Sequence, residues 1–259
     1  MPFTLAHPAA ILPLSGLRYL RTVPLIIGAM TPDLPYYVPA RFGLIRPETH
    51  SLTGSFTTCL VLGYAALGCL LLLRRPLTAL LSARARWLFL AALAPFNRRP
   101  LEWALASVSI ILGVWTHLLW DSLTHSDGWV VRRVAVLSAP VTLGGYSGPV
   151  CHLLQYLSSA FGLAAMAVWY WRLPAPPATP AGPDAPRSSV GPVLMLVAAA
   201  AILIGGVQAT QAFSQVPVLY HTLNIFLTRS LAWFAILYLV AGTVVTLEHD
   251  SDTAYRLHR

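Results

Sequence analysis

The sequence predicts an all-helical protein that crosses a membrane about five times, and three observations predict it. Of 259 residues, 56% are apolar and only 10% are charged, whereas a soluble domain carries roughly 25% charge. Five apolar runs recur, each near the roughly 20 residues needed to span a bilayer. Arginines stand at the edges of these runs, as at Arg74-Arg75, Arg98-Arg99, Arg132-Arg133 and Arg172. This composition excludes a soluble globule, a secreted domain and a disordered chain. All 17 basic residues are Arg, and the net charge is +8. Their position at span edges assigns the excess to topology and headgroup contact. Membrane lipids are therefore the expected partner, and nucleic acid is not.

The elements follow in order. His7, Pro8 and Pro13 interrupt the first apolar stretch, which lacks a basic start and so does not read as a signal peptide. Thr4 to Leu14 reads as a short helix capped by Thr4. Val23 to Met30 is too short to span and reads as buried or interfacial, closed by Thr31-Pro32-Asp33. Residues 34–49, rich in Pro, Tyr and Arg, read as loop. The first span is Gly54 to Leu73, without a charge. Residues 76–100 carry Arg84 and Arg86 in their middle and are expected to lie in the interface. The second span runs from about Leu101 to Thr124, and the third from about Val150 to Trp171. Residues 173–189 form a Pro-rich linker. The fourth and fifth spans are about Val190 to Gln211 and Leu227 to Leu247, and a charged tail, 248–259, is expected to fray. The domain division is 1–172, linker 173–189, spans 190–247, then tail. Cys59, Cys69 and Cys151 lie within apolar runs and read as small fillers rather than disulfide partners.

Ionisable groups in or beside a span are costly and are candidates for function. The second span ends in His117-x3-Asp121-x3-His125. At about 100° per residue the three side chains fall at about 0°, 40° and 80° on a helix. Imidazole and carboxylate are ligands for zinc and similar ions, and i, i+4 pairs suit chelation. Two spans joined by one loop are antiparallel, so His50, just before the first span, falls at the membrane face of this stripe. His7 and Asp33 precede His50 on that face. Thr-His-Ser occurs twice, at 49–51 and 124–126, which gives both His a hydroxyl neighbour able to orient the ring. His152 and Gln155 open the third span on the same face and are outer candidates, as is Glu48. His221 and Asn224 before the fifth span are weaker. Asp127 reads as a turn residue, Glu102 as the acid opening a helix, and His249 and His258 as tail residues.

The run Met1-Pro-Phe-Thr-Leu-Ala-His7-Pro8, then Gly28-Ala-Met-Thr-Pro32-Asp33, Thr49-His50-Ser51 and His117-x3-Asp121-x3-His125, resembles a bacterial integral-membrane family of unknown function, the DUF4184 family. The resemblance covers the first 150 residues; the remainder matches in being membrane spans. The order Pro-Asp, His, His-x3-Asp is also similar to membrane-bound metal-dependent hydrolases and, more distantly, to zinc-dependent phospholipase C. That similarity implies Asp33, His50, His117 and Asp121 as metal ligands, with His7 and His125 near a second position. Residue 1 is Met rather than the Trp of the phospholipases, and no His-x3-Glu follows. One or two divalent ions, zinc first, are thus expected rather than three.

The expected function is hydrolysis of a lipid or phosphoester at the membrane surface, with His125 or His7 as the general acid/base. Arg41, Arg46 and Arg132 are candidates to hold a phosphate. The rival reading is a non-enzymatic or transport protein that uses the His/Asp stripe as a structural clamp or ion relay. The Arg-rich loop 74–100 favours a cytoplasmic position for that loop and the tail. The site is then expected outside the cytoplasm, on a bacterial plasma membrane.

Overall fold

A computed structural model describes residues 4–37, 48–97, 99–144, 146–176, 190–215 and 219–257. It is helical almost throughout. Among the described residues five helices are long and apolar enough to cross a membrane, at Leu52–Leu72, Pro100–Thr124, Val150–Arg172, Val190–Gln215 and Thr222–His249. The chain is a polytopic, all-α integral membrane protein. The Pro-rich stretch 177–189, Arg41, Arg46 and His258 lie outside the described residues.

Two compact units divide the chain, one of residues 1–67 and 94–174, the other of 68–93 and 175–259. The first begins with a 3₁₀ segment, Thr4–Leu14. Pro8 and Pro13 inside it lack the N–H groups that a continuous α-helix would use, which favours the tighter winding. Helix α1, Thr22–Met30, follows. A 3₁₀ turn over Thr31–Asp33 and one helical turn, Leu34–Tyr37, continue it. Residues 34–37, expected as loop, are thus helical, and 38–47 lie outside the described residues. Helix α2 runs over Leu52–Leu72 with a break at Thr57. Ser51 caps its start by accepting the Gly54 N–H at 2.9 Å.

Helices α3, Arg74–Ala79, and α4, Ala83–Leu93, come next. They are followed by α5, Pro100–Thr124, with Pro100 in the first turn, where its missing N–H costs nothing. Between α5 and α6, Val150–Arg172, lies a hairpin absent from the sequence reading. Its strands are β1, Pro140–Leu143, and β2, Tyr146–Pro149. They pair antiparallel with Leu143 opposite Tyr146, and Gly144 beside the turn has φ +54°. Two short strands next to a glycine pair gave no hydrophobic alternation to read.

The first unit's core is a close crossing of α1 and α5. A Cβ on Gly28 would stand 2.1 Å from the Ile110 carbonyl oxygen, and one on Gly113 would stand 2.3 Å from that of Leu25. Only glycine permits backbones this near, the small-residue packing usual between membrane helices. Ile11, Leu25 and Ala29 are buried on one side of this crossing, and Cys59, Ile110 and Val114 on the other. At the opening of α5, Glu102 is buried and forms a two-pronged ion pair with Arg21, one prong at 3.0 Å. The sequence alone assigns Glu102 only to the start of the helix. Its partner comes from 81 positions earlier, a separation that local pattern does not reveal.

The second unit holds α3, α4, α7 (Val190–Gln215) and α8 (Leu219–Leu257). A Cβ on Gly205 of α7 would meet Ser230 of α8. The Tyr238 hydroxyl of α8 donates to the Leu77 carbonyl of α3 at 2.7 Å. Helix α8 does not fray at residue 248 but continues through Leu257. No proline interrupts it, so nothing ends it where the apolar run ends.

Candidate metal centre

The cluster is assembled by four pieces of the first unit. In the 3₁₀ segment residues three apart eclipse, so Thr4 and His7 share an edge, and both are buried. The turn after α1 supplies Asp33, the residues before α2 supply Thr49 and His50, and the last two turns of α5 supply His117 and Asp121. His117 lies seven residues before the end of α5, about 10 Å along the axis. The cluster therefore sits near one end of a span.

The structure brings His7, Asp33, His50, His117, Asp121 and His125 together. His117 Nε2 is 3.1 Å from Asp121 Oδ2 and 3.8 Å from Asp33 Oδ1. His50 Nε2 is 3.5 Å from Asp33 Oδ1 and 3.7 Å from Asp121 Oδ2. His7 Nε2 and His125 Nδ1 approach the other Asp121 oxygen, Oδ1, at 3.2 and 3.3 Å. Among the described residues two sets of three ligand atoms lie within 4.8 Å of one another: His7, Asp33, His117 and His50, His117, Asp121.

Hydrogen bonds fix what each atom offers. His117 Nδ1 lies 2.8 Å from the Ala29 carbonyl oxygen. A carbonyl only accepts, so this nitrogen carries the proton, and in the neutral ring Nε2 is a lone pair. That buried Nε2 has no hydrogen-bond partner. For His50, the Thr49 hydroxyl donates to the Pro32 carbonyl at 2.9 Å, leaving its oxygen to accept from His50 Nδ1 at 3.1 Å. His50 Nε2 is then also a lone pair. The Thr4 hydroxyl donates to Asp33 Oδ2 at 2.7 Å, which leaves Oδ1 facing inward. Thr4 thus does not cap its own segment, as the sequence suggested; its hydroxyl is committed to Asp33.

The free nitrogens of His50 and His117 thus face Asp33 Oδ1 and Asp121 Oδ2, and the ligand atoms fall into two triads that share His117, one with His7 and Asp33 and the other with His50 and Asp121. Acceptors this close repel unless a cation lies among them. Four of their mutual distances span 3.1–3.8 Å, against about 3.3 Å for the edges of a tetrahedron with metal–ligand bonds of about 2.0–2.1 Å. Each triad is a donor set that could hold a metal ion. Burial pushes the Asp33 carboxyl up, but in the metal-free protein a proton on His50 Nε2, the charges of protonated His117 and His7, and the Thr4 hydroxyl outweigh it and hold the group below the ordinary carboxylate range. Asp33 and His117 are shut off from solvent, while the His50 side chain is 33% exposed and forms the open side.

Two expectations change in detail. Helix α5 ends at Thr124, and His125 beyond it is extended, with φ −106° and ψ 141°. The three-residue helical stripe is therefore a helical pair plus a residue beyond the end. The contacts of the His125 ring nitrogen run to Asp121 rather than to its hydroxyl neighbour Thr124, whose own hydroxyl donates to the Trp120 carbonyl at 3.0 Å. Asp121 holds the ring through backbone oxygen and carboxylate alike. Burial is the larger influence on His125 and, despite the pull of Asp121, it lowers the ring's pKa below that of an ordinary histidine. His7 is fully buried and stacks on His117 with ring centroids 3.9 Å apart.

The outer candidates do not join these sets. Glu48 and Arg132 are exposed, Gln155 is buried in α6, and His152, Asn224, Asp127 and His249 are absent from both groups. His221 lies in α8, within the second unit. Sequence reasoning missed Thr4 and Ala29. Thr4 stands three residues before His7 in a segment wound so that such residues align. Ala29 contributes only backbone, and the signal for it was the pair of glycines that lets α1 approach α5.

A helical membrane protein with a His/Asp cluster at one end of a span is the class that this fold and site define. The chain belongs to the DUF4184 family, described as a domain of unknown function, whose sequence profile matches residues 1–246. The match extends past the first 150 residues, where the quoted motifs lie, into the last two spans. No curated protein and no solved structure matches the chain.

Proposed function

We propose that the chain is a membrane-bound metal-dependent hydrolase acting on a lipid or phosphoester at the membrane surface. The observation that supports this reading best is that ligand atoms of His50, His117 and Asp121 lie within 4.8 Å of one another, with Nδ1 of both histidines engaged away from them. Asp33, His50, His117 and Asp121 would hold one divalent ion, zinc first, since imidazole and carboxylate are its usual ligands. His117 has only one free nitrogen, so the two overlapping sets of ligand atoms cannot both be filled through it. A divalent ion there supplies Lewis acidity and makes water acidic near neutral pH.

The residues around it divide the remaining work. Thr4, Thr49 and the Ala29 carbonyl orient ligands. His7, without solvent access, holds Asp121. His125 is the better general base: its Nδ1 proton faces Asp121, its Nε2 is left as a lone pair, and its side chain is 25% exposed. The similarity to membrane hydrolases and zinc phospholipase C noted in the sequence supports the same reaction class. The dense arginines of residues 74–99 support a site on the extracytoplasmic face of a bacterial plasma membrane.

The test is metal analysis of the purified protein and of His117→Ala, followed by hydrolysis assays on chromogenic phosphoesters and on labelled phospholipid vesicles. Stoichiometric metal in the parent, its loss in the variant, and metal-dependent turnover are expected. Absence of metal after growth with zinc, manganese and iron would leave the cluster as an ion-paired clamp and end the hydrolase reading.

A further inference from the structure

The connection between α5 and α6 carries a surface that the metal reading does not use. It leaves α5 four residues after Asp121 and folds straight back onto it. The Val130 and Val131 N–H groups both donate to the Ser122 carbonyl at 3.2 Å, and Gly128 N–H donates to that of His125 at 2.8 Å. Val131 is buried, which fastens the start of the segment. Beyond this clip the side chains face outward. Trp129, Val136 and Leu143 are 60–63% exposed, and Arg132, Arg133 and Val134 are exposed too. The Arg133 guanidinium lies 4.2 Å from the centroid of the Trp129 ring and donates to its carbonyl at 3.0 Å. From Gly128 to Pro149 there are two Arg and no Asp or Glu.

In water such a display of Trp, Val and Leu is unfavourable, and here it joins two membrane spans at the end of the bundle that holds the cluster. Tryptophan and arginine side by side are the composition of the headgroup layer, where an aromatic ring rests at the acyl boundary and a guanidinium meets phosphate. The net positive charge without acids complements an anionic lipid. We infer that residues 128–144 and 146–149 form a phospholipid-binding lip beside the cluster, with Trp129 and Leu143 at the acyl boundary and Arg132 and Arg133 on headgroup phosphates. The inference stands whether or not the cluster holds metal.

The experiment uses the full chain in lipid nanodiscs, with Cys69→Ser to remove the exposed thiol; Cys59 and Cys151 are buried. Leu143→Cys, and separately Trp129→Cys, receive an environment-sensitive fluorophore. Blue-shifted emission that a lipid-borne nitroxide quenches and aqueous iodide does not is the expected result at both positions. Water-like emission quenched by iodide overturns the inference. A blue shift indifferent to lipid nitroxide also overturns it, since the occupant would then be protein, such as a second copy of this chain. In nanodiscs of mixed phosphatidylcholine and phosphatidylglycerol, Arg132→Gln and Arg133→Gln should each lower the preference for the anionic lipid about fivefold. An unchanged preference would remove the phosphate assignment.

Discussion

His117 Nδ1 lies 2.8 Å from the backbone oxygen of Ala29, so one turn of α1 determines which nitrogen of a histidine on α5 faces the cluster. Removing the ring removes that nitrogen, and His117→Ala should drop metal content from about one ion per chain to near zero. Asp121→Asn, of equal size, should do the same while the fold survives, because the spans are held chiefly by packing. Metal analysis and thermal unfolding in detergent check both. An Asp121→Asn protein that unfolds, from a parent without metal, would speak for the structural clamp.

The Ala29 contact exists because Gly28 and Gly113 let two backbones meet. Gly113→Ala would put a Cβ 2.3 Å from the Leu25 oxygen and 2.8 Å from the Ala29 nitrogen. Neither atom can move without moving α1. We expect a loss of about 2 kcal/mol or more from overpacking, together with weaker metal binding as Ala29 is pushed away. Gly68→Ala, where a Cβ meets nothing within 4 Å, is the control and should cost nothing. Equal unfolding temperatures for the two variants would contradict the crossing.

How far the sequence foretold this site depends on what each residue contributes. His7, Asp33, His50, His117, Asp121 and His125 were legible because ionisable groups beside apolar runs stand out, and because two antiparallel spans must bring His50 to the end of α5. The spans were legible for the same reason, apolar length. Ala29 was not, since a carbonyl has no residue-type signature. Arg21 with Glu102 was not, because each has an ordinary local explanation. The hairpin after α5 was not, as its short strands lack the alternation that marks a sheet with one buried face.

Thr4 tests the outer layer of the cluster. Its hydroxyl caps Asp33 Oδ2 at 2.7 Å, which directs Oδ1 inward. Thr4→Val keeps the shape and removes the hydrogen bond, so metal affinity should fall about 10–100-fold, measured by competition with a chromophoric chelator. Thr4→Ser should recover most of it. A Thr4→Val protein with unchanged affinity would mean that packing alone orients Asp33.

Acid should release the metal before it unfolds the protein. His50 and His117 bind an ion only through an unprotonated nitrogen, so protons compete with the metal and occupancy should fall as the pH is lowered, followed by equilibrium dialysis. Asp33 acts lower. Its folded carboxyl is held below the ordinary range, so its contribution to stability is present above about pH 4 and is lost as pH falls through the folded value. Thermal unfolding of metal-free protein should accordingly be flat in that carboxylate term from neutrality to about pH 4 and decline below it.

Orientation gives the last test. His50 stands before the first span and His117 and Asp121 at the end of the second, so the cluster faces the side from which the first span departs. Five spans then put the residues after the fifth on the opposite side. The six arginines Arg74, Arg75, Arg84, Arg86, Arg98 and Arg99 lie between the first two spans, and short Arg-rich loops resist translocation. They argue for a cytoplasmic loop, a cytoplasmic C-terminal end and an extracytoplasmic cluster. In a bacterial host, a green fluorescent protein fused after Arg259 should fluoresce and alkaline phosphatase at the same point should be inactive. The reverse pattern would turn the cluster toward the cytoplasm. The hydrolase reading would then require inner-leaflet lipids or soluble cytoplasmic esters as substrates, and the lip that begins at Gly128 would face the inner leaflet, where anionic lipid is available to Arg132 and Arg133.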